Sequence, residues 1–224
     1  SSCIFPKELS DFKKTKIAQI SAGAKHSLAL CDGGKLFSWG HGDHGTLGNG
    51  GYDGSPRPSA IKFHDLRLCY FVNISAGESH SAAVTGEGAV YTWGSGAFGK
   101  LGHQSFEDAL VPKLVEALTG TTIGIARCAP FHTIFVTKIL KGDSSGGLVY
   151  ACGSDQYGRL GNGGDAEDPG DVRDDENSGD NGDSAVGSES VPLPCEGYMS
   201  ANRVTCVAAG AFHNVACSLD GTLW

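Results

Sequence analysis

Short apolar runs, each five to eight residues long, alternate with turn residues along the chain. The first three are KIAQISAG, HSLALC and KLFSWG, bounded by turn residues such as DGGK, and FVNISAG, HSAAVT and AVYTWG follow as equivalents. Runs of this length that are rich in β-branched and aromatic residues predict strands. Most of them are apolar at successive positions, which predicts sheets covered by neighbours on both faces.

These runs belong to an internal repeat. Four segments share a small residue, two variable residues, a histidine and an apolar strand, namely ISAGAKHSLAL, ISAGESHSAAV, ARCAPFHTIFV and VAAGAFHNVAC. In the first two repeats a Trp-Gly pair begins thirteen residues after the histidine, and Cys152-Gly153 takes that place in the third. A propeller blade has three or four such strands. The repeat therefore predicts an all-β fold, a β-propeller, with a solenoid of β-units as the alternative.

A glycine-rich stretch follows the third predicted strand of each repeat. WGHGDHGTLGNG, WGSGAFGKLGHQ and CGSDQYGRLGNG each place a glycine five residues after the first one and another three residues beyond. Such glycines predict tight turns and close approach between strands. The repeated positions expected to be structural are Gly23, His26, Trp39, Gly40, Gly45, Gly48, Gly77, His80, Trp93, Gly94, Gly99, Gly102, His132, Gly153, Gly158, Gly161, Gly210 and His213.

Prolines mark the boundaries of the predicted units. One lies 20 to 22 residues before each repeated histidine, at Pro6, Pro58, Pro112 and Pro192. These boundaries divide residues 1–224 into units of about 6–57, 58–111, 112–191 and an incomplete 192–224. Trp224 occupies the position that Phe37 and Tyr91 hold in earlier units, so the chain stops within a predicted strand. We therefore expect further blades or domains in the full-length protein.

Gly94, Gly96 and Gly99 have the G-x-G-x-x-G spacing of a dinucleotide-binding loop. That loop must open a helix and be followed by an acidic residue about 20 positions later. The residues after Gly99, KLGHQSFED, lack an apolar helical period. The same glycines recur in the first repeat, and Asp155 replaces the middle one in the third. A phosphate site is therefore rejected, and no cofactor is expected.

The acidic charge is concentrated in one segment. Residues 164–189 contain ten acidic residues and one arginine, a net charge of −9, whereas the whole chain carries −8. The remainder is therefore +1. This composition predicts a disordered acidic insertion, either a tolerated surface loop or a tether for a basic partner. The near-neutral remainder argues against a nucleic-acid or chromatin surface.

The joint pattern G-x-x-H-S, V-Y-x-W-G and G-x-L-G resembles the repeat of the regulator of chromosome condensation (RCC1) family. The resemblance covers nearly the whole chain. It implies part of a seven-bladed RCC1-like β-propeller, with blades of about four antiparallel strands. The departures are Ala129 for the first glycine, Cys152 for the tryptophan, and two insertions, KILKGDSSGG and the acidic segment.

The repeated side chains favour structural roles. The four histidines could suggest a metal cage, but equivalent residues of a propeller lie in different blades, so a backbone hydrogen bond that locks a strand turn is the preferred interpretation. His41 and His44 lack a third ligand for zinc. Trp39 and Trp93 are expected in the blade core rather than in a ligand-stacking cage. Neither a metal site nor catalytic residues are predicted.

The resemblance implies a protein partner. The founding activity of the family is guanine-nucleotide exchange on the Ran GTPase, but its exchange residues lie in variable loops that these motifs do not match. We expect a non-catalytic interaction propeller that serves as a scaffold or regulatory module, with its variable loops choosing the partner. Exchange on a Ran-type small GTPase is the alternative.

The scattered cysteines favour buried free thiols, and the sequence has no apolar run that could span a bilayer. An intracellular location, cytoplasmic or nuclear, is therefore expected.

Overall fold

A computed structural model describes residues 8–12, 14–62, 70–140, 147–162, 187–196 and 203–224. This part of the chain contains fourteen strands and several single turns of 3-10 helix. The strands are β1 Ile17–Ala22, β2 His26–Cys31, β3 Leu36–Gly40, β4 Ser55–Ala60, β5 Phe71–Ala76, β6 His80–Thr85, β7 Val90–Gly94, β8 Ala109–Leu114, β9 Ile123–Cys128, β10 His132–Thr137, β11 Val149–Ser154, β12 Ser188–Pro194, β13 Val204–Ala209 and β14 Asn214–Ser218.

Successive strands pair in simple up-and-down order. β1 to β4, β5 to β8 and β9 to β12 form three four-stranded sheets, and β13 pairs with β14. Every pairing between these strands is antiparallel. Trp224 exchanges two backbone hydrogen bonds with Ala216, which places it where Phe37 lies opposite Ala29 in the first sheet. The predicted all-β architecture with blades of four strands is confirmed.

The first strand of each sheet lies beside the first strand of the next. The Gln19 side chain in β1 donates to the Ile74 carbonyl (3.2 Å) and accepts from the Ile74 amide (3.0 Å) in β5. One sheet further, Asn73 Oδ1 accepts from the Ala126 amide (3.0 Å) in β9. We call the first strand of each sheet its inner strand. Polar side chains on the inner strands thus form hydrogen bonds with backbone groups of the neighbouring sheet. The sheets are consequently arranged side by side, with their first strands adjacent.

Apolar side chains fill the spaces between sheets. Leu28, Ile74 and Trp93 pack between the first two sheets, and Phe135 belongs to the cluster between the second and third. Every residue of β6 and β10 is buried. Burying one such large side chain stabilises the fold by about 2–3 kcal/mol. The expectation of sheets covered on both faces is met by these central strands.

The sheets are offset from the predicted units. Pro58, Pro112 and Pro192 lie inside β4, β8 and β12, the fourth strand of each sheet, rather than at the start of a blade. Proline lacks an N–H group and is tolerated in the outermost strand of a sheet. Each sheet therefore begins about twelve residues after the predicted boundary. Pro6 lies outside the described residues, as does the acidic insertion except for residues 187–189.

The glycine of each Trp-Gly pair lies where strands approach closely. Gly94 has φ +103° and pairs with His80 across β6 and β7. A Cβ atom on Gly94 would lie 2.7 Å from both His80 Cα and the Ser79 carbonyl oxygen. Positive φ is also found at the equivalent and loop glycines, Gly40, Gly45, Gly48, Gly99, Gly102, Gly153, Gly158 and Gly161.

Substitution of Gly94 tests the importance of this close approach. Gly94→Ala is expected to lower the free energy of unfolding by about 3 kcal/mol, because both the backbone conformation and the contact oppose a side chain. Gly158→Ala is the matched control, since Gly158 has φ +67° but a Cβ atom there meets nothing within 4 Å. Its expected cost is about 1 kcal/mol. Equal losses in urea unfolding would contradict the packing argument.

Candidate functional site

Each internal histidine joins one sheet to the next through a chain of two hydrogen bonds. His26 Nε2 lies 2.8 Å from Ser81 Oγ in the second sheet, and Ser81 Oγ donates to the Thr46 carbonyl of the first sheet (3.1 Å). His80 Nε2 lies 2.7 Å from Thr133 Oγ1 in the third sheet, which donates to the Lys100 carbonyl (2.6 Å). Each pair of hydrogen bonds leads from the histidine of one sheet to a hydroxyl of the next sheet and from there to a carbonyl of the first. The pair therefore holds the two sheets together.

The third sheet repeats this link with an amide in place of a hydroxyl. Asn214 Oδ1 lies 2.7 Å from His132 Nε2, and Asn214 Nδ2 donates to the Arg159 carbonyl. His213 has the same local turn, in which the Gly210 amide donates to the His213 carbonyl, but its side chain is exposed. We call the three linked sets, which begin at His26, His80 and His132, the histidine links.

The direction of donation defines the protonation of the imidazoles. Because Ser81 and Thr133 give their hydroxyl protons to carbonyls, they accept from the histidines, which therefore carry a proton on Nε2. The Nδ1 atoms of all three linked histidines are buried without a hydrogen-bond partner. A second proton would have to enter at this unpartnered atom. Burial accordingly lowers the pKa of His26 to about 4 and the pKa of His80 and His132 below 6.5.

The partner of these histidines differs from the sequence expectation. The imidazoles bind a side chain of the next sheet, whereas a backbone hydrogen bond within the turn was predicted. The sequence does contain a signal for the partners, since Ser81, Thr133 and Asn214 each follow a repeated histidine directly. A polar residue at a buried strand position needs a partner. That partner comes from the preceding sheet.

The two repeat tryptophans occupy different surroundings. Trp93 is fully buried, and its indole Nε1 donates to the Thr46 carbonyl (2.9 Å) of the first sheet. Cys152 replaces the tryptophan in the third repeat and directs its thiol to the equivalent Lys100 carbonyl (3.4 Å). Trp39 belongs to the first sheet and is half-buried against Phe12. The cysteine that replaces tryptophan in the third repeat thus still supplies a hydrogen-bond donor to the preceding sheet.

Two sets of connections meet at one end of the sheets. The turns after the first strands, 23–25, 77–79, 129–131 and 210–213, lie beside the ends of the third strands, as shown by hydrogen bonds from His41 to Lys25, Ser95 to Ser79 and Ser154 to Phe131. The connections from third to fourth strands, described at 41–54, 95–108, 155–162 and 187, begin there. We call these two sets of segments the loop face.

The loop face contains an open cleft of about 890 Å³ between the first three sheets. Aromatic rings and carboxylates line it together. The aromatic members are Tyr52, Phe98, Phe106 and Phe131, and the acidic members are Glu78, Glu107 and Asp108. Asp108 is held in place, since it accepts from the Gly96 amide (2.9 Å) and lies 2.9 Å from His44 Nδ1.

The lysine of the cleft is directed into its wall. Lys100 is 3% exposed, and its ammonium donates to Ser79 Oγ (2.9 Å) and the Pro130 carbonyl (3.4 Å). Glu78 and Glu107 are exposed. The charge that the cleft presents to solvent is therefore negative.

A row of aromatic rings continues from the cleft along the loop face. Phe131 packs edge-on against Phe98 at 5.7 Å and lies 6.2 Å from Phe212, which in turn contacts Tyr157 at 6.0 Å. Buried Arg159 lies under this row, with its guanidinium carbon 5.2 to 5.7 Å from the ring centroids of Phe131, Tyr157 and Phe212. We call Phe98, Phe131, Phe212 and Tyr157 the aromatic ridge.

Sequence reasoning missed the aromatic ridge, although its residues occupy repeated positions. Three residues come directly before a repeated loop glycine (Gly45, Gly99 or Gly158), namely His44, Phe98 and Tyr157. Each has a positive φ, between 57° and 65°. Phe131 and Phe212 both precede a repeated histidine. Ring side chains at equivalent positions of successive repeats are the signal that predicts such a row.

Gly94 to Gly99 have the spacing of a dinucleotide-binding loop but a different local structure. This stretch ends in a single 3-10 turn, Ala97–Gly99, and the next element is β8, with no helix between them. Within the described segments, no three histidine, cysteine or acidic residues are grouped to hold a metal ion. Nor does any helix among these residues have the length and apolarity needed to cross a membrane.

Four-stranded antiparallel sheets placed side by side, with adjacent inner strands, define a repeat-built β-propeller. The family described as regulator of chromosome condensation (RCC1) repeat matches residues 33–84, 87–136 and 146–217. The chain belongs to this family.

The relatives that match this chain are much longer than it is. The human E3 ubiquitin-protein ligase HERC2 is 41% identical over 149 residues, which are 66% of this chain and 3% of HERC2. The Ultraviolet-B receptor UVR8 of Arabidopsis thaliana is 39% identical over 210 residues, 93% of this chain and 41% of the receptor. The chain thus spans less than half the length of these relatives.

Solved propellers share the fold. Human WBSCR16 superposes with a TM-score of 0.73 at 21% identity, over 97% of this chain and 48% of that protein. Prp20p from Saccharomyces cerevisiae superposes with a TM-score of 0.70 at 24% identity, over 97% of this chain and 47% of Prp20p. Its structure was described together with its binding to Gsp1p and histones.

Proposed function

We propose that the chain is a protein-interaction module that serves as a scaffold or regulatory unit and binds its partner through the loop face. The observation that carries this proposal is that the residues joining the sheets differ from those exposed on the loop face. The repeated histidines and Trp93 are used in contacts between sheets, whereas the irregular connections carry an open cleft and exposed rings. Recognition commonly resides in loops held by a rigid scaffold. This role requires no catalytic residue, cofactor or metal ion.

A capture experiment tests the proposal. The protein is immobilised, and the proteins it retains are compared with those retained by a Phe106→Ser, Tyr157→Ser variant, which changes two exposed rings of the loop face. A partner that is retained by the parent and lost by the variant supports the proposal. Identical retention by both proteins would contradict it. Thermal unfolding of the variant serves as the folding control.

Nucleotide exchange on a Ran-type GTPase is the second candidate function. It is favoured by the shared fold with Prp20p, a protein reported to bind Gsp1p. An exchange factor acts by binding the nucleotide-free state of its GTPase more tightly than the loaded state, so it needs no catalytic side chain. The test is release of a fluorescent nucleotide from a Ran-type GTPase on addition of the protein. Unchanged release would exclude this candidate.

A further inference from the structure

The exposed charges of the loop face are mainly acidic. Six acidic residues lie in its described segments, namely Asp43, Asp53, Glu78, Glu107, Asp108 and Asp155. Its lysines and arginine number three. Lys25 lies 3.6 Å from Asp43, and Lys100 and Arg159 are each 3% exposed and donate hydrogen bonds inward. A ligand that approaches this face therefore meets carboxylates first.

The rings beside these carboxylates are unusually accessible. Phe106 is 46% exposed, Phe212 57% and Tyr157 64%. Phe98 and Tyr157 also have left-handed backbone conformations, which cost free energy in residues other than glycine and concentrate at functional sites. Aromatic residues that are rigidly held and partly exposed are typical of the centres of protein interfaces.

Rings and carboxylates in one cleft suit a particular kind of side chain. Arginine and lysine combine an apolar stem, which packs against rings, with a cation that is attracted both to ring faces and to carboxylates. An acidic partner would place like charges together at low dielectric, which is unfavourable. A purely apolar partner would leave Glu78 and Glu107 without compensation as they lose solvent.

We propose that the cleft and the aromatic ridge bind a basic segment of a protein partner, with an arginine or lysine side chain in the cleft and an apolar residue against Phe212. This inference rests on the proposed function, because it names the chemistry of the partner that the loop face binds. The segment lies across the second and third sheets and reaches the turn between β13 and β14, which contains Phe212. Its specificity comes from carboxylates at the cleft and rings along the ridge.

The test uses short fluorescein-labelled peptides and fluorescence anisotropy. One peptide alternates arginine with leucine, a second replaces each arginine with glutamate, and a third replaces each leucine with serine. The arginine–leucine peptide is expected to bind most tightly. Glu78→Gln combined with Glu107→Gln is expected to weaken its binding about five- to tenfold, as for the loss of two exposed ion pairs.

A matched variant separates local contacts from general charge. Glu87→Gln combined with Glu116→Gln removes the same charge from the opposite end of the second sheet, where both residues are exposed, and should leave the affinity within about twofold. In the same way, Phe212→Ser should weaken binding of the arginine–leucine peptide but not of the arginine–serine peptide. Leu219→Ser, which alters a 61% exposed residue at the opposite end, should change neither.

Each outcome has one interpretation. Equal weakening by both glutamate pairs, or tighter binding of the glutamate peptide, would overturn the proposed basic segment. If the peptides do not bind but a captured partner is still lost on substitution of Phe106 and Tyr157, the inference fails and the proposed function stands. If neither peptides nor partners depend on the loop face, both fail.

Discussion

Lowering the pH from 7 to 5 should destabilise the protein strongly, because the histidine links require neutral imidazoles. In the unfolded chain these histidines take up a proton near pH 6.5, whereas burial holds the pKa of His26 at about 4 in the fold and lowers that of His80 and His132. As the pH falls below 6.5, the unfolded state binds protons that the folded state does not. The stabilisation is therefore present above pH 6.5 and is lost progressively towards pH 4.

The size of this effect follows from the pKa difference. A histidine held near 4 accounts for a loss of about 2 kcal/mol between pH 7 and pH 5, and the other buried histidines act in the same direction. Urea unfolding at a series of pH values measures the loss. His26→Gln should flatten the pH dependence, while His213→Gln, which changes an exposed histidine, should leave it unaltered. A free energy of unfolding that is constant from pH 7 to 5 would contradict the account of the links.

Removal of the central histidine should destabilise the protein strongly. His80 is fully buried, and His80→Ala removes its hydrogen bond to Thr133 and leaves a cavity between the second and third sheets. Cavity formation and loss of the buried hydrogen bond together should lower the free energy of unfolding by about 3–4 kcal/mol. The same change at exposed His213 should cost less than about 0.5 kcal/mol.

The comparison of these two histidines separates local from inter-sheet roles. The two histidines lie in equivalent turns of different repeats. In each turn the amide of the residue three positions earlier donates to the histidine carbonyl. Of these two histidines, only His80 hydrogen-bonds to a following sheet within the described residues. Similar losses for His80→Ala and His213→Ala in urea unfolding would show that the histidine acts within its own turn, as the sequence first suggested.

The fold and the first three strands of the sheets could be predicted from the sequence, because buried strands need apolar runs. HSAAVT and HTIFVT become the fully buried β6 and β10. The fourth strands were not located, since SPRPSA has neither alternation nor an apolar run. That segment becomes β4 only because β3 offers it an edge to pair with.

The contacts within the proposed binding surface could not be predicted, although its ring side chains recur at equivalent positions of the repeat. Phe98, Phe131 and Phe212 come from three different repeats and are brought together by the stacking of sheets. No local pattern places a loop residue of one repeat beside the turn of the next. The direction of Lys100 into the wall, which leaves the cleft acidic, likewise depends on Ser79 and Pro130, which lie in the turns of two successive sheets.

Hydrogen–deuterium exchange with and without the arginine–leucine peptide tests the central claim most directly, namely that repeats build the scaffold while loop-face connections recognise the partner. The account predicts slower exchange in 95–108, 129–131 and 210–213, and unchanged exchange in the turns of the opposite end, 86–89 and 115–122. Protection confined to the opposite end, or spread evenly along the buried strands, would contradict it.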